Sequence, residues 1–282
     1  MQPVHSPGPV GRNLLLTLRY DGARYHGWQV QQNAVSVQSV FQQSLETILG
    51  GPHDIKGCSR TDTGVHALAY CVSVRTNSPI PPERLAAALN NHLPRDIAVT
   101  GCREVPPGFH ARYSCVGKEY RYLIWNDPVR DPFWEGRALH YRYPLDEILL
   151  NRAAFHFTGR RDFASLCSSK SVKEDTVRRV LRAEVFREGP LVVFCTRADG
   201  FLYHMVRIMV GTLLRVAEGK IAPEQLPAVL DALDRGRAGP TAPPQGLYLS
   251  RVFYDRDELL RVEPSPSPPS VRTASLAGFP VS

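Results

Sequence analysis

The pattern of apolar positions in the first hundred residues predicts six secondary-structure elements. Short apolar runs that end at Gly, Asp or Pro predict strands, whereas apolar positions three and four residues apart predict helices. The resulting order is strand, helix, strand, strand, helix, strand, over Asn13–Tyr20, Ser36–Leu49, Ile55–Arg60, Ala67–Arg75, Pro81–Leu93 and Ile97–Val105. Ser36 is a suitable N-cap for the first helix, and Gly50-Gly51 is a suitable stop.

The second half of the chain repeats this order as a pattern, without visible sequence identity to the first. Strands are predicted at Lys118–Trp125, Val177–Arg187, Leu191–Arg197 and Leu247–Tyr254, and helices at Leu145–Phe157, Phe201–Gly219 and Pro223–Leu233. The apolar positions of the first of these helices are Ile148, Leu149, Ala153, Phe155 and Phe157. Two such units predict an α+β fold, in which two ferredoxin-like α/β subdomains form one continuous, mainly antiparallel sheet with helices on one face.

These elements divide the chain into four segments. We expect residues 1–12 to be a flexible N-terminus, 13–107 an N-terminal ferredoxin-like subdomain, and 108–262 a C-terminal ferredoxin-like subdomain. Residues 263–282 are rich in Pro and Ser and lack periodicity, which predicts a disordered tail.

The composition is that of a globular protein with a basic surface. Hydrophobic residues make up 43% of the 282 residues and charged residues 22%, and the formal net charge is +7. The charge indicates a polyanionic partner, although many basic proteins have none. No apolar run is long enough to span a membrane, and the first eleven residues lack the features of a secretory signal. We therefore expect a cytoplasmic protein.

The six cysteines give no sign of a metal or redox site. They are scattered, without a C-x-x-C pair and without a histidine at ligand spacing. This distribution argues against a zinc centre, and we expect reduced thiols and no bound metal.

The stretch Gly57–Ala67 (GCSRTDTGVHA) is the main candidate for chemistry. It places Asp62 between two threonines, with Arg60 two positions earlier. A neighbouring guanidinium favours the ionised form of a carboxyl group. An isolated Arg-Thr-Asp would more often be a surface turn with an ion pair than a catalytic site.

A second candidate lies on the predicted helix Phe201–Gly219. Apolar residues cover most of its circumference, and its polar positions form one stripe: His204, Arg207, Gly211, Arg215 and Glu218. For His204 alone, a structural role is the better interpretation. Arg207 needs a fixed anionic partner amid so much apolar surface, and this partner is either Asp62 or a substrate phosphate.

A third candidate is the strand segment Lys118-Glu119-Tyr120-Arg121-Tyr122. Tyr120 and Tyr122 share one face of the strand because side chains alternate with a period of two. Alternating tyrosines in a half-buried strand more often pack in a core than recognise a ligand.

Together these segments resemble the tRNA pseudouridine synthase A family from about Leu14 to Tyr254. The stretch at Asp62 is similar to the family signature, Phe201–Arg207 (FLYHMVR) to its third motif, and KEYRY to its K-x-Y-x-Y motif. The chain departs from the family pattern at Thr63, where Ala is usual, and at Leu166, where Phe is frequent.

The resemblance implies that Asp62 is the catalytic nucleophile and that Tyr120 contacts the target uridine. It further implies that Arg207 lies at the active site, and we assign Arg60 to substrate binding with Tyr120 and Arg207. The reaction moves the ribose C1′ bond from uracil N1 to C5 without redox change, so no cofactor is expected. The implied substrate is tRNA, at uridines 38, 39 and 40 of the anticodon stem-loop. We also expect a central RNA-binding cleft in the fold, and the resemblance implies a homodimer in which one tRNA spans both subunits.

Two other classes of protein compete with this interpretation. A non-catalytic RNA-binding protein on a ferredoxin-like scaffold would need aromatic platforms but no specific carboxylate. A glycoside-cleaving enzyme would need two carboxylates at a defined separation, and only one acidic residue lies in a convincing sequence context.

Overall fold

The computed structural model describes residues 11–168 and 175–261. The predicted tail at 263–282 lies outside these ranges, as do the first ten residues of the predicted N-terminal segment. The first half contains β1 (Arg12–Tyr20), α1 (Val37–Leu49), β2 (Ile55–Gly57), β3 (His66–Thr76), α2 (Pro82–His92) and β4 (Ile97–Val105). The predicted order of these six elements is confirmed, although β2 ends three residues earlier than expected.

Helix α1 begins and ends where its local sequence signals lie. The Ser36 hydroxyl accepts a hydrogen bond from the backbone N–H of Ser39 at 3.1 Å, which satisfies one of the free donors of the first turn. Gly50 ends the helix with φ of 78°, a left-handed conformation that glycine adopts without steric cost. Between these caps, Val37, Phe41 and Leu45 are fully buried. The spacing of four residues therefore gives the helix one continuous apolar face.

The second half contains more elements than the pattern predicts. They are β5 (Gly117–Trp125), β6 (Leu139–His140), α3 (Glu147–Phe155), β7 (Gly159–Asp162), β8 (Val177–Glu188), β9 (Leu191–Ala198), α4 (Met205–Ala217), α5 (Leu226–Asp231), β10 (Leu247–Phe253) and α6 (Arg256–Leu260). Three of these, β6, β7 and α6, were not predicted. The helix predicted from Pro223 begins as a short 3₁₀ turn and becomes α-helical at Leu226.

Two helix predictions in this half are partly wrong. Helix α4 begins at Met205 rather than Phe201, because His204 has a φ of 61° that an α-helix cannot accommodate. In α3, Ile148 and Phe155 are 73% and 68% exposed instead of buried. The buried face is formed by Leu150, Ala153 and Ala154, and residues two positions apart on a helix do not share a face.

The strands form one large, mostly antiparallel sheet in the order β4-β1-β3-β10-β5-β9-β8-β7. Strand β2 pairs with β3, and β6 pairs with β5. The parallel pair β3–β10 joins the two halves, with Tyr248 opposite His66 and Leu249 opposite Ala67. Since β1 occupies one edge of β3, β2 and β10 share its other edge at different points. The predicted α+β class with a continuous sheet is therefore confirmed.

The main hydrophobic core lies between the sheet and the helices. Phe41 of α1, Leu85 of α2 and Ile208 of α4 are fully buried in this cluster, together with Leu16 and Tyr70 of the sheet. A smaller cluster consists of Leu123, Ala138, Leu191, Val193 and Tyr248. None of the described helices combines the length and the apolar character that a membrane span requires. All six cysteines are free thiols.

Candidate active site

A cleft of about 830 Å³ contains side chains from both halves of the chain. The first half contributes Ser59, Arg60 and Asp62, which lie between β2 and β3, and the second half contributes Tyr120 of β5 and His204 before α4. The cleft therefore lies near the place where β2 and β10 share the edge of β3.

The loop that carries Asp62 is held by the segment after β1. The N–H of Trp28 donates to the carbonyl of Thr61 at 3.1 Å, and the Tyr20 hydroxyl is 2.8 Å from the Thr61 hydroxyl. Gly27 lies so close that a Cβ added there would overlap the Thr61 carbonyl, and its φ of 78° also favours glycine. These contacts fix the backbone on one side of Asp62, so that the carboxylate is presented to the cleft.

One oxygen of this carboxylate is contacted by His204, which precedes α4, and by Arg207 in the first turn of α4. Arg207 Nη1 lies 3.3 Å from Asp62 Oδ2, and His204 Nε2 lies 3.5 Å from the same atom. Arg207 is itself fixed, because its Nε donates to the Ala242 carbonyl at 2.7 Å. The expectation that Arg207 has an anionic partner is confirmed, and within the protein this partner is Asp62. Among the described residues, Oδ1 of Asp62 accepts no hydrogen bond.

His204 has an electrostatic environment that disfavours its protonated form. Burial lowers the pKa of the imidazole, and the nearby Arg207 guanidinium lowers it further, whereas Asp62 acts in the opposite direction. The net pKa lies below the ordinary value of about 6.5. The neutral ring can donate its Nε2 hydrogen to Asp62 without adding a second cation.

Tyr120 forms part of the cleft wall. Its side chain is 7% exposed, its hydroxyl is 3.3 Å from the Ser59 hydroxyl, and Phe201 packs edge-on against its ring at 5.0 Å. Burial raises the pKa of Tyr120, so the phenol is neutral at physiological pH. Tyr122 is fully buried and donates to the Pro243 carbonyl at 2.8 Å, which agrees with the packing role expected for it.

Arg60 lines the cleft with an exposed side chain. Among ion pairs between described residues, none joins Arg60 to Asp62, and Arg207 is the guanidinium beside the carboxylate. The proximity of Arg60 in sequence therefore did not predict the cation in contact with Asp62.

The structural role expected for His204 does not include its contact with Asp62. The available signal was the polar stripe that His204 shares with Arg207. The stripe predicts that His204 lies within the same helix as Arg207. In the structure, His204 precedes the helix with a left-handed backbone, and its Nε2 lies 3.5 Å from Asp62 Oδ2. Within the two described ranges, no group of three or more His, Cys, Asp or Glu side chains could hold a metal ion.

Comparison with known proteins identifies the class to which this site belongs. Residues 17–114 and 153–255 match the model of one family, described as tRNA pseudouridine synthase. The matched ranges include Asp62, which lines the cleft, and Arg207, which contacts its carboxylate. The molecule is therefore a pseudouridine synthase, an isomerase rather than a non-catalytic RNA-binding protein.

Similar full-length proteins agree with this assignment. A tRNA pseudouridine synthase A of Moorella thermoacetica is 46% identical over 243 residues, which is 86% of this chain and 99% of the relative. Proteins of the same name from Acetivibrio thermocellus and Ruminiclostridium cellulolyticum are 44% and 43% identical, over 86% of this chain and 100% of each relative. The chain belongs to the tRNA pseudouridine synthase family and is an isomerase that acts on tRNA. A solved structure of a Cbf5-Nop10-Gar1 complex overlaps with a TM-score of only 0.35 at 12% identity, covering 83% of this chain and 57% of that one.

Proposed function

We propose that Asp62 performs the central step of uridine isomerisation, and that the target uridines lie at positions 38, 39 and 40 of the tRNA anticodon stem-loop. The observation that carries the role of Asp62 is its asymmetric environment. Arg207 and His204 both contact Oδ2, while Oδ1 accepts no hydrogen bond from any described residue. The protein thus holds Oδ2, which leaves Oδ1 as the proposed reacting atom.

The isomerisation breaks the bond between ribose C1′ and uracil N1 and forms a bond from C1′ to C5. The C5 proton is lost and N1 gains a proton, so the composition of the base does not change. An ionised Asp62 can assist either by attack on C1′ or by removal of a sugar proton. Both routes use a carboxylate oxygen that no described residue already holds, which is Oδ1 in this arrangement.

Tyr120 is the proposed contact for the uracil ring once the nucleotide has left its stack. Unstacking costs a few kcal/mol, and a buried aromatic wall offsets part of this cost. Arg60 and Arg207 complete the proposed substrate-binding set. Arg60 is exposed at the cleft and can contact the RNA, whereas Arg207 holds the Asp62 carboxylate.

The role of Asp62 is tested by Asp62→Asn, with Asp175→Asn as the matched control because Asp175 lines the same cleft. Tritium release from C5-labelled uridine in tRNA measures the reaction. At saturating tRNA, we expect the rate to fall by at least about 10³-fold in Asp62→Asn, as for loss of a group that acts directly in the chemical step, and to stay unchanged in Asp175→Asn. A folded Asp62→Asn protein with the wild-type rate would remove Asp62 from the chemistry.

The proposed target positions are tested by mapping pseudouridine in tRNA from cells with and without this protein. Loss of pseudouridine at 38, 39 and 40, with other positions unchanged, is the expected result. Loss confined to another arm of the tRNA would exclude the anticodon assignment while leaving the chemistry of Asp62 in place.

We also propose that 13–107 and 108–262 are two ferredoxin-like subdomains with helices on one face of the sheet and a central RNA-binding cleft. The strand orders β4-β1-β3 with β2 alongside and β10-β5-β9-β8 support this division, because each places the four strands of a unit in the order 4-1-3-2. A cytoplasmic homodimer in which one tRNA contacts both subunits completes the proposal. Light scattering of the free protein and of its tRNA complex tests the subunit number.

A further inference from the structure

We propose that Tyr113 and Tyr203 are stacking platforms for the nucleobases on either side of the target uridine. The inference rests on the proposed use of the cleft as the uridine pocket. Five large aromatic side chains of the described residues are more than half exposed: Tyr113, Phe133, Tyr143, Phe155 and Tyr203. Of these five, only Tyr113 and Tyr203 line the cleft.

The two rings come from separate segments of the chain. Tyr113 belongs to the connection between β4 and β5 and is 78% exposed, whereas Tyr203 belongs to the connection between β9 and α4 and is 55% exposed. Tyrosine combines an apolar ring that can stack on a base with a hydroxyl that stays hydrated. Each ring therefore has exposed area at the cleft on which a base can stack.

Each ring is also backed by a histidine, which limits its motion before RNA binds. Tyr203 stacks on His204 with ring centroids 3.8 Å apart and planes at 26°, and Tyr113 lies against His110 at 4.4 Å and 39°. His204 in turn contacts Asp62, so the Tyr203 platform is tied to the proposed reacting carboxylate. His110 Nδ1 accepts hydrogen bonds from the N–H groups of Arg112 and Tyr113, which fixes the second platform. Preorganised rings lose less conformational entropy when a base stacks on them.

The charge of the cleft fits the same ligand. Among its described lining residues, five are Lys or Arg and two are Asp; the cations are Lys56, Arg60, Arg112, Lys118 and Arg178. Arg112 also places its guanidinium 5.8 Å from the Tyr113 ring centre. Aromatic faces interspersed with cations are typical of sites that bind unpaired nucleic acid, where bases stack and phosphates pair with the cations. Tyr120 is 7% exposed and lies deeper, so the flipped uridine and its neighbours would occupy different rings.

The first test compares Tyr113→Ala and Tyr203→Ala with Phe155→Ala. Phe155 is a matched control because it is 68% exposed and packs against a histidine, His156, but does not line the cleft. The probe is an RNA stem-loop centred on a uridine that the wild-type enzyme converts, bound to full-length protein. We expect its dissociation constant to rise about 5- to 150-fold in each tyrosine variant, as for loss of one base stack, and to stay unchanged in Phe155→Ala. Affinities within twofold of wild type for both tyrosine variants would overturn the proposal.

Replacing the side chains conservatively separates stacking from packing. Phe or Trp at positions 113 and 203 should keep the affinity, because both provide a π-face, whereas Leu should reproduce the loss seen with Ala. Leu variants with wild-type affinity would show that apolar contact alone suffices and would refute stacking. A Tyr113→Ala protein that binds RNA normally but changes its molecular mass in light scattering would assign that ring to a protein interface instead.

Abasic nucleotides identify the stacked base. If Tyr203 stacks on one neighbour of the uridine, removing that base and replacing Tyr203 by Ala both remove the same contact. Their effects on the free energy of RNA binding should then not be additive. Additive losses at both neighbouring positions would contradict the proposal. All binding is measured in the Asp62→Asn background, so that no RNA is converted. Activity of Asp62→Asn would refute the proposed role of Asp62 without changing the outcome for the two tyrosines.

Discussion

Arg207 provides the sharpest test of the electrostatics in the cleft. Its Nη1 lies 3.3 Å from Asp62 Oδ2, while its Nε donates to the Ala242 carbonyl at 2.7 Å. Arg207→Met keeps much of the apolar stem but removes both hydrogen bonds and the charge. Arg207→Lys keeps the charge but has no planar fork with which to make both contacts.

The distance sets the expected magnitude. A direct Coulomb estimate at 3.3 Å with an effective dielectric constant of 20 gives about 5 kcal/mol. This is an upper bound, because the Asp62 side chain is 25% exposed and water screens the pair. A hydrogen bond to a charged group, at about 1.5–3 kcal/mol, is the better guide. If this interaction acts in the transition state, its loss lowers the rate about 10- to 150-fold, at 1.36 kcal/mol per factor of ten.

Single-turnover rates at saturating tRNA measure this effect apart from binding. We expect Arg207→Met to lose rate within that range with a smaller change in RNA affinity, and Arg207→Lys to fall between Met and wild type. Urea unfolding of each variant shows whether the protein remains folded under the assay conditions. A folded Arg207→Met protein whose saturated rate is within twofold of wild type would refute the argument that Arg207 supports the Asp62 carboxylate.

Three further predictions concern stability. In Gly211→Ala, the new Cβ would overlap the Pro240 carbonyl beside α4, so the free energy of unfolding in urea should fall by about 1–3 kcal/mol, as for overpacking. Gly101→Ala is the control, because a Cβ there would meet nothing within 4 Å, and it should change this free energy far less. The Glu119 carboxylate accepts hydrogen bonds of 3.1 and 2.8 Å from the buried Arg197 guanidinium. Glu119→Ala removes this partner and should lower the free energy of unfolding by about 3–5 kcal/mol. An unchanged urea midpoint would contradict this. The pKa of His204 is lowered in the folded state, so the unfolded chain binds its proton at higher pH and stability should decrease as pH falls below about 6.5. Unfolding at pH 7.5 and 5.5 should show a smaller decrease for His204→Gln than for wild type, and equal decreases would exclude His204 as a source.

Local signals in the sequence determined most of the secondary structure. Helix α1 follows its N-cap at Ser36 and its stop at Gly50, because caps and apolar spacing act within a few residues of the chain. The resemblance to the family indicated Asp62, Tyr120 and Arg207 for the same reason, since each lies in a short motif that can be recognised without knowledge of the fold.

Only the tertiary structure decided how these residues meet. The sequence does not decide whether Arg207 pairs with Asp62 or with a phosphate, because 145 positions separate Arg207 from Asp62 and no local pattern encodes such a contact. Helical periodicity predicts that His204 lies within the helix, whereas in the structure it precedes the helix with a left-handed backbone and contacts the Asp62 carboxylate. The cation nearest to Asp62 in sequence, Arg60, is not the one that pairs with it. Ion pairs depend on where the elements lie in space, and this is set by the pairing of β3 with β10 and by the packing of α4.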